Sequence, residues 1–259
     1  MIEKSSVEIQ DYLSANPEAL EFFKAYGNIS KEMLVPKVQK IYSKALNVHN
    51  YRCLVTLKFL APRIVHNPFY EEVILSGKEQ SILDIGCALG TDLRKIYLDG
   101  PKNQTLYGLD LENKFIELGY ELFDDWQSNK IHFTTGNILE EETVERIRTQ
   151  EHWDVIYSSS VIHLLGKKDV EILLQNIYSL LSEGGIFFGQ TTGLKVPQER
   201  LEKSGRRYYL HSKDSLQYEL GKAGFRNIQI EVKEHEKYSE KDKQDFYEHR
   251  DTIFFYVQK

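Results

Sequence analysis

The sequence predicts an α/β fold in which a doubly wound parallel sheet follows an all-helical N-terminal segment. Three observations carry this expectation. The first 75 or so residues hold helix starts and helical spacing without a strand-like run. From residue 80 the texture changes to short apolar runs, "SILDIG", "TLYGLDL", "IHFTTGNI", "WDVIYSS" and "GIFFGQTT", and each of the first four is followed by a helix-like stretch. Right-handed crossovers between such runs require parallel strands with helices on both faces.

Taken in order, Asn16-Pro17-Glu18 supplies an N-cap, a first-turn proline and an acid at the positive helix end, ahead of "EALEFFKAY", which Gly27 terminates. A second helix starts at Val35-Pro36, with Val38, Ile41, Tyr42 and Ala45 at helical spacing. A third, "YRCLVTLKFLAPRIV", is apolar on more than one side until Pro62 interrupts it. Asn67-Pro68 repeats the cap-and-proline device before "FYEEVILSG". After the fifth strand come a polar loop, a helix near "SKDSLQYELGKAG" and two late strands, "RNIQIEV" and "TIFFYV". The charged stretch "KEHEKYSEKDKQDFYEHRD" between those two reads as a solvated helix or loop. The expected division is a helical cap over residues 1–78 and a sheet domain over 79–259.

Composition excludes several classes. With 259 residues, 41% hydrophobic and 28% charged, the chain can bury a sizeable core and fold on its own. A formal net charge of −6 disfavours nucleic acid, since the one dense basic pair with aromatic neighbours is Arg206-Arg207-Tyr208-Tyr209. No signal-like or membrane-spanning apolar run is present, so the expectation is a cytoplasmic chain with no membrane partner. Cys53 and Cys87 lack metal-ligand spacing and read as reduced packing residues, and no metal is expected.

The turn after the first strand, "SILDIGCALGTD", raises the functional question. Glycine there lets the backbone turn tightly and approach a ligand at the carboxyl end of a strand, where open α/β sheets bind theirs. Gly86-Cys87-Ala88-Leu89-Gly90 is not a dinucleotide fingerprint, it lacks a phosphate-loop lysine, and Asp92 would repel phosphate. The pattern suits a ligand with a ribose and a cationic, amino-acid-like part. Asp110 closes the second strand about 20 residues beyond Gly90, the offset at which a carboxylate accepts from a ribose diol. S-adenosylmethionine has these parts. The competing reading of Asp84 and Asp110 is two ordinary strand-end acids.

In order, "ILDIGCALGTD", "LYGLDLENKFIELG", "TTGNILEE", "WDVIYSSSVIHLL" and "LLSEGGIFFGQT" resemble the successive motifs of class I S-adenosylmethionine-dependent methyltransferases. With "YRCLVTLKFLAPRIVHNPFYEEVI" upstream, the chain is similar to fungal natural-product methyltransferases, among them carboxyl O-methyltransferases of meroterpenoid acids. The resemblance implies a Rossmann-like seven-stranded sheet, mostly parallel with one antiparallel strand, and cofactor contacts at Asp84, Gly86, Cys87, Ala88, Gly90, Asp92, Asp110, Leu111, Asn137, Ile138, Ser158 and Ser159. Two departures stand out. The middle glycine of the turn is Ala88, tolerable where φ is negative. Asn137 replaces an acid that holds the adenine amino group, and its amide oxygen accepts the same bond more weakly.

The fourth strand faces the transferable methyl in this family. Here it continues Ser158-Ser159-Ser160-Val161-Ile162-His163, without the Asp/Asn-Pro-Pro-aromatic run of amine methylation or the carboxylates of metal-dependent catechol enzymes. A carboxylate acceptor needs neither, since it is already ionised at neutral pH. Catalysis then rests on positioning, for which His163, Tyr51, Arg52 and Tyr42 are the candidates. His163 either donates to a carboxylate, takes a proton from a hydroxyl, or merely packs at a helix start. Arg52 equally suits a surface ion pair, and the two tyrosines the cap's core. The expected substrate is a small apolar carboxylic acid, the assembly a monomer or homodimer. A hydroxyl or amine acceptor, and a non-catalytic cofactor-binding regulator, are the alternatives.

Overall fold

In the computed structural model, residues 4–128, 130–201, 205, 207–234 and 250–259 are described. The N-terminal segment comprises α1 (Ser6–Ala15), α2 (Pro17–Gly27), α3 (Lys31–Val48), the single turn α4 (Arg52–Val55) and α5 (Tyr70–Ile74), with short 3-10 turns at 58–60 and 64–66. α1 escaped the sequence reading although Ser5 and Glu8 form a reciprocal capping box at its start. α2 begins at Pro17 as expected, and Asn28, in the left-handed region, caps its end. α3 starts five residues before Pro36, because Ser30 caps it and Leu34 and Val35 are needed in the core. The expected third helix does not persist through residue 65. Leu57 takes φ +61° and ends α4, and the chain continues as separate turns.

From residue 81 the order is β1 (Ser81–Ile85), α6 (Thr91–Asp99), β2 (Thr105–Asp110), α7 (Asn113–Phe123), β3 (His132–Thr135), α8 (Glu141–Arg148) and β4 (Trp153–Ser159). A 3-10 turn at 162–164 then leads to α9 (Lys167–Leu180), β5 (Leu181–Gly193), β6 (Gln198–Leu201), β7 (Arg207–Leu210), α10 (Lys213–Lys222), β8 (Arg226–Lys233) and β9 (Asp251–Gln258). Among the described residues seven strands form one sheet in the order β3-β2-β1-β4-β5-β9-β8, parallel except that β9 runs against both of its neighbours. This is the Rossmann-like sheet with one antiparallel strand. The expected polar loop after the fifth strand contains the antiparallel β6–β7 hairpin, which "QERL" does not signal because its burial does not alternate. The charged stretch at 235–249 lies outside the described residues.

β1 is buried along its whole length, as a central strand flanked on both sides must be. One sheet face packs on α8, α9 and α10 through residues such as Trp153, Leu173 and Phe187. The other receives α5, α6 and the 64–66 turn through Ile64, Val73 and Leu93. A third cluster joins α1, α2 and α3 to α7, burying Phe23, Leu34 and Tyr42 against Phe115, Leu122 and Phe123. The N-terminal helices are thereby packed beside the turn that follows β1, since Leu89 belongs to the same cluster. No helix among the described residues is long and apolar enough to cross a membrane.

Candidate active site

The strand order reverses between β1 and β4, and the carboxyl ends of these strands with those of β2 and β3 form one rim. β1 runs into the 86–90 turn. The N–H groups of Gly86 and Cys87 both donate to the Leu109 carbonyl, at 2.8 and 3.1 Å, and the Gly90 N–H donates to the Cys87 carbonyl at 2.7 Å. Gly90 has φ +71°, and a β-carbon on it would stand 2.6 Å from Arg94 Nη1 and from the Phe133 ring. Glycine is therefore demanded there by the packing under the turn. Ala88 corrects an expectation. Alanine was tolerable at negative φ, but φ is +48°, a left-handed conformation that costs a non-glycine residue about 1–2 kcal/mol.

Three acids meet at this turn, with different occupations. Asp84, 3% exposed at the end of β1, receives no donor among the described residues. Burial pushes its carboxyl well above the usual carboxylate range, and the neighbouring Asp92 and Asp110 add to that. Asp110 Oδ2 accepts the Ala88 N–H at 2.7 Å and Oδ1 accepts the Glu112 N–H at 2.9 Å. Each oxygen keeps capacity for a further donor. Burial raises this carboxyl too, against the pull of those two amides. Asp92 is already engaged: Oδ1 accepts the Arg63 and Ile64 N–H groups at 2.6 and 3.1 Å, and the Tyr157 hydroxyl donates to Oδ2 at 3.3 Å. It ties the 64–66 turn to α6, and Oδ2 keeps capacity for a further donor.

Leu111, immediately after Asp110, is 59% exposed, whereas Ile138 is buried. Asn137 Oδ1 accepts the Leu139 N–H at 3.1 Å and its amide nitrogen donates to Glu140. One lone pair remains on that oxygen, so only part of the capacity expected of Asn137 survives. On β4 the Ser158 hydroxyl is spent on the Ile85 carbonyl at 3.0 Å, and Ser159 accepts from Gln190 at 3.0 Å.

His163 follows on the 3-10 turn beyond Ser160, which itself has φ +65°. Its Nδ1 lies 3.4 Å from the Thr192 N–H donor and 3.3 Å from Thr191 Oγ1. A backbone amide can only donate, which assigns the acceptor role to Nδ1 and the proton to Nε2. Nε2 has no partner among the described residues. Burial, with the charges of Arg250 and Arg63, lowers the ring's pKa to about 3. The imidazole is neutral at physiological pH.

The N-terminal candidates separate. Tyr42 is fully buried in the helical cluster, and its hydroxyl has no partner among the described residues. Tyr51 stacks on His49 at 3.9 Å and tilts against Phe115, and Arg52 is exposed. The cation missed in the sequence is Arg63, whose Nη1 donates to Ser160 Oγ at 2.8 Å. Lys58 stands near it: desolvation and the charges of Arg63 and Arg52 hold its ammonium below the ordinary lysine range. Only tertiary structure brings residue 63 to residue 160, so no local signal marked it. Arg207 is paired with Glu199 at 3.0 Å. Tyr209 donates its N–H to the Leu165 carbonyl at 2.7 Å, which sets the hairpin beside the His163 turn. Arg206 lies outside the described residues.

Residues 83–187 match the family described as "Methyltransferase domain", and residues 9–60 match "Meroterpenoid methyltransferase N-terminal domain". The chain is 32% identical over 170 residues to the Asnovolin E/Chermesin D methyltransferase of Aspergillus novofumigatus, covering 64% of this chain and 60% of that one. It is 33% identical over 140 residues to an O-methyltransferase of Stereocaulon alpinum, covering 53% and 40%. The matches span 60%, 54% and 57% of the lengths of the first three curated relatives. Among solved structures, phosphoethanolamine N-methyltransferase 2 of Haemonchus contortus superposes with a TM-score of 0.59 at 17% identity, covering 84% of this chain and 60% of that one.

Proposed function

We propose, from the premise that this chain is a class I methyltransferase carrying a meroterpenoid methyltransferase N-terminal domain, that it methylates the carboxylate of a small apolar organic acid in fungal secondary metabolism. S-adenosylmethionine is the cofactor, and when bound it supplies an electrophilic methyl on a sulfonium centre. The rim fits this group on three counts. Asp84 is a buried carboxylate that lacks a donor among the described residues and would hold the ammonium. Asp110 keeps an acceptor site on each oxygen for the ribose diol. Leu111, an exposed apolar side chain directly after Asp110, offers an apolar surface to adenine.

The single observation that carries the acceptor assignment is His163. Its Nδ1 faces the Thr192 amide, leaving Nε2–H as a donor with no partner among the described residues. A ring with a pKa of about 3 is a weak base for removing a hydroxyl proton at neutral pH. As a neutral donor it suits an acceptor that arrives already ionised. Arg63, beside Ser160, and the nearby Lys58 favour the same anion. The work left for the protein is to align the oxygen and strip its water. Residues 1–78 act as a cap on this acceptor side, and residues 79–259 as the catalytic domain.

The test uses methyl-labelled S-adenosylmethionine and a panel of apolar carboxylic acids and their alcohol counterparts. A methyl ester releases labelled methanol in mild alkali, whereas an ether or methylamine does not. Alkali-labile label from the acids is the expected result. Alkali-stable label from the alcohols alone would replace this reading with a hydroxyl acceptor.

A further inference from the structure

Arg94 is 1% exposed, and nothing in the chemistry proposed above uses it. Its guanidinium is engaged on two sides. Nε and Nη2 donate to the two oxygens of Asp125 at 2.7 and 2.9 Å, and Nη1 donates to the Leu89 carbonyl inside the turn at 2.7 Å. The group lies 4.2 Å from the Phe123 ring centroid and 5.2 Å from that of Phe133. Asp125 also accepts the Tyr26 hydroxyl at 2.6 Å. One buried ion pair therefore joins four places in the chain: α2 of the N-terminal segment, the residues after α7, α6, and the 86–90 turn.

A buried pair of this kind is weak evidence for stability, because desolvation offsets the attraction. Position gives it a better reason. Leu89 lies one residue before Gly90, and the absent side chain of Gly90 is what admits Nη1 beneath the turn. Moving Tyr26 would loosen Asp125, then Arg94, then the Leu89 carbonyl. Tyr26 remains a donor throughout the working pH range, since burial and its bond to Asp125 push the phenol above its ordinary value.

We infer that Arg94 is a positioning residue that couples docking of the N-terminal helices to the shape of the 86–90 turn, and through it to cofactor affinity. The inference rests on reading that turn as the cofactor site. Linkage makes the coupling reciprocal, so cofactor binding tightens the docking of α2 by the same factor.

Calorimetric titration of the full chain with S-adenosylhomocysteine tests it. Tyr26→Phe removes one hydroxyl and leaves the ring against Phe22, Tyr97 and Phe123. It is expected to weaken binding about 5-fold, the low end of ordinary coupling. In the unsubstituted chain the α2 amides gain hydrogen-exchange protection on saturation, and in Tyr26→Phe that gain shrinks. Ile9→Val, a core truncation in α1, is the control, expected to lower stability with affinity unchanged. Unchanged affinity in Tyr26→Phe, or an equal loss in Ile9→Val, overturns the coupling and leaves the cofactor site standing. An unsubstituted chain that binds no S-adenosylhomocysteine overturns the site reading beneath it.

Discussion

The half of the rim built by β1 and β2 and the half built by β4 and the N-terminal segment differ in the sign of what they offer. The first presents Asp84 and Asp110, carboxylates that burial holds above their ordinary range. The second presents a neutral His163, with Arg63 and Lys58 nearby. A ligand with a cationic amino end and an anionic partner lie in only one favourable order across such a rim. The contrast supports the proposal that electrostatics sets the orientation of cofactor and acceptor across this rim.

Removing the proposed sugar anchor should break the acidic half most completely. Asp110→Ala loses the acceptor for a ribose diol and the bond that holds the Ala88 amide. Affinity for S-adenosylhomocysteine is expected to fall by about 10²-fold or more, as loss of two charge-assisted hydrogen bonds implies. Unchanged affinity in a titration would remove Asp110 from the site.

Asp84→Asn probes the same half through pH. The folded-state pKa of Asp84 is raised, so its contribution to stability is complete below the unfolded value and is lost as pH rises through the folded one. The unliganded variant should therefore melt higher than the original at pH 8 and bind the cofactor about 10-fold more weakly, one ion pair's worth. Binding of S-adenosylmethionine to the original chain should strengthen with rising pH and release a proton. In the variant both effects should shrink to what Asp110 contributes, and buffer-dependent calorimetry reads both.

On the other half, His163→Gln sharpens the comparison by keeping a donor while removing a base. Turnover is expected to stay within about 10-fold and to be flat between pH 6 and 8, whereas a loss of about 10²-fold or more would make His163 a general base. The smallest effect belongs to the turn between the halves. Ala88→Gly relieves φ +48° and should raise stability by about 1 kcal/mol, a melting shift of roughly 2–4 °C for a chain of this size.

Much of this frame was legible in the chain because it is written locally. Strand ends, the glycine turn and an acid about 20 residues further on are fixed by neighbours in sequence, and the parallel sheet with helices on both faces followed from the handedness of the crossovers. What was not legible depended on distant partners. The Arg63 and Ile64 amides that fill one oxygen of Asp92, and the helical cluster that buries Tyr42, leave no local mark in the sequence. Leucine does not advertise positive φ, so the break at Leu57 was hidden inside an apolar run. Arg63 and the β6–β7 hairpin carry no periodic signature, and both acquire meaning only beside β4.

The most direct test of the central claim, that a phosphate-free sulfonium nucleoside lies along the acidic half, is a paired titration with S-adenosylhomocysteine and NAD. Saturable binding of the first in the micromolar range, with no heat from the second, is the result this account predicts. Binding of NAD with S-adenosylhomocysteine excluded would contradict it.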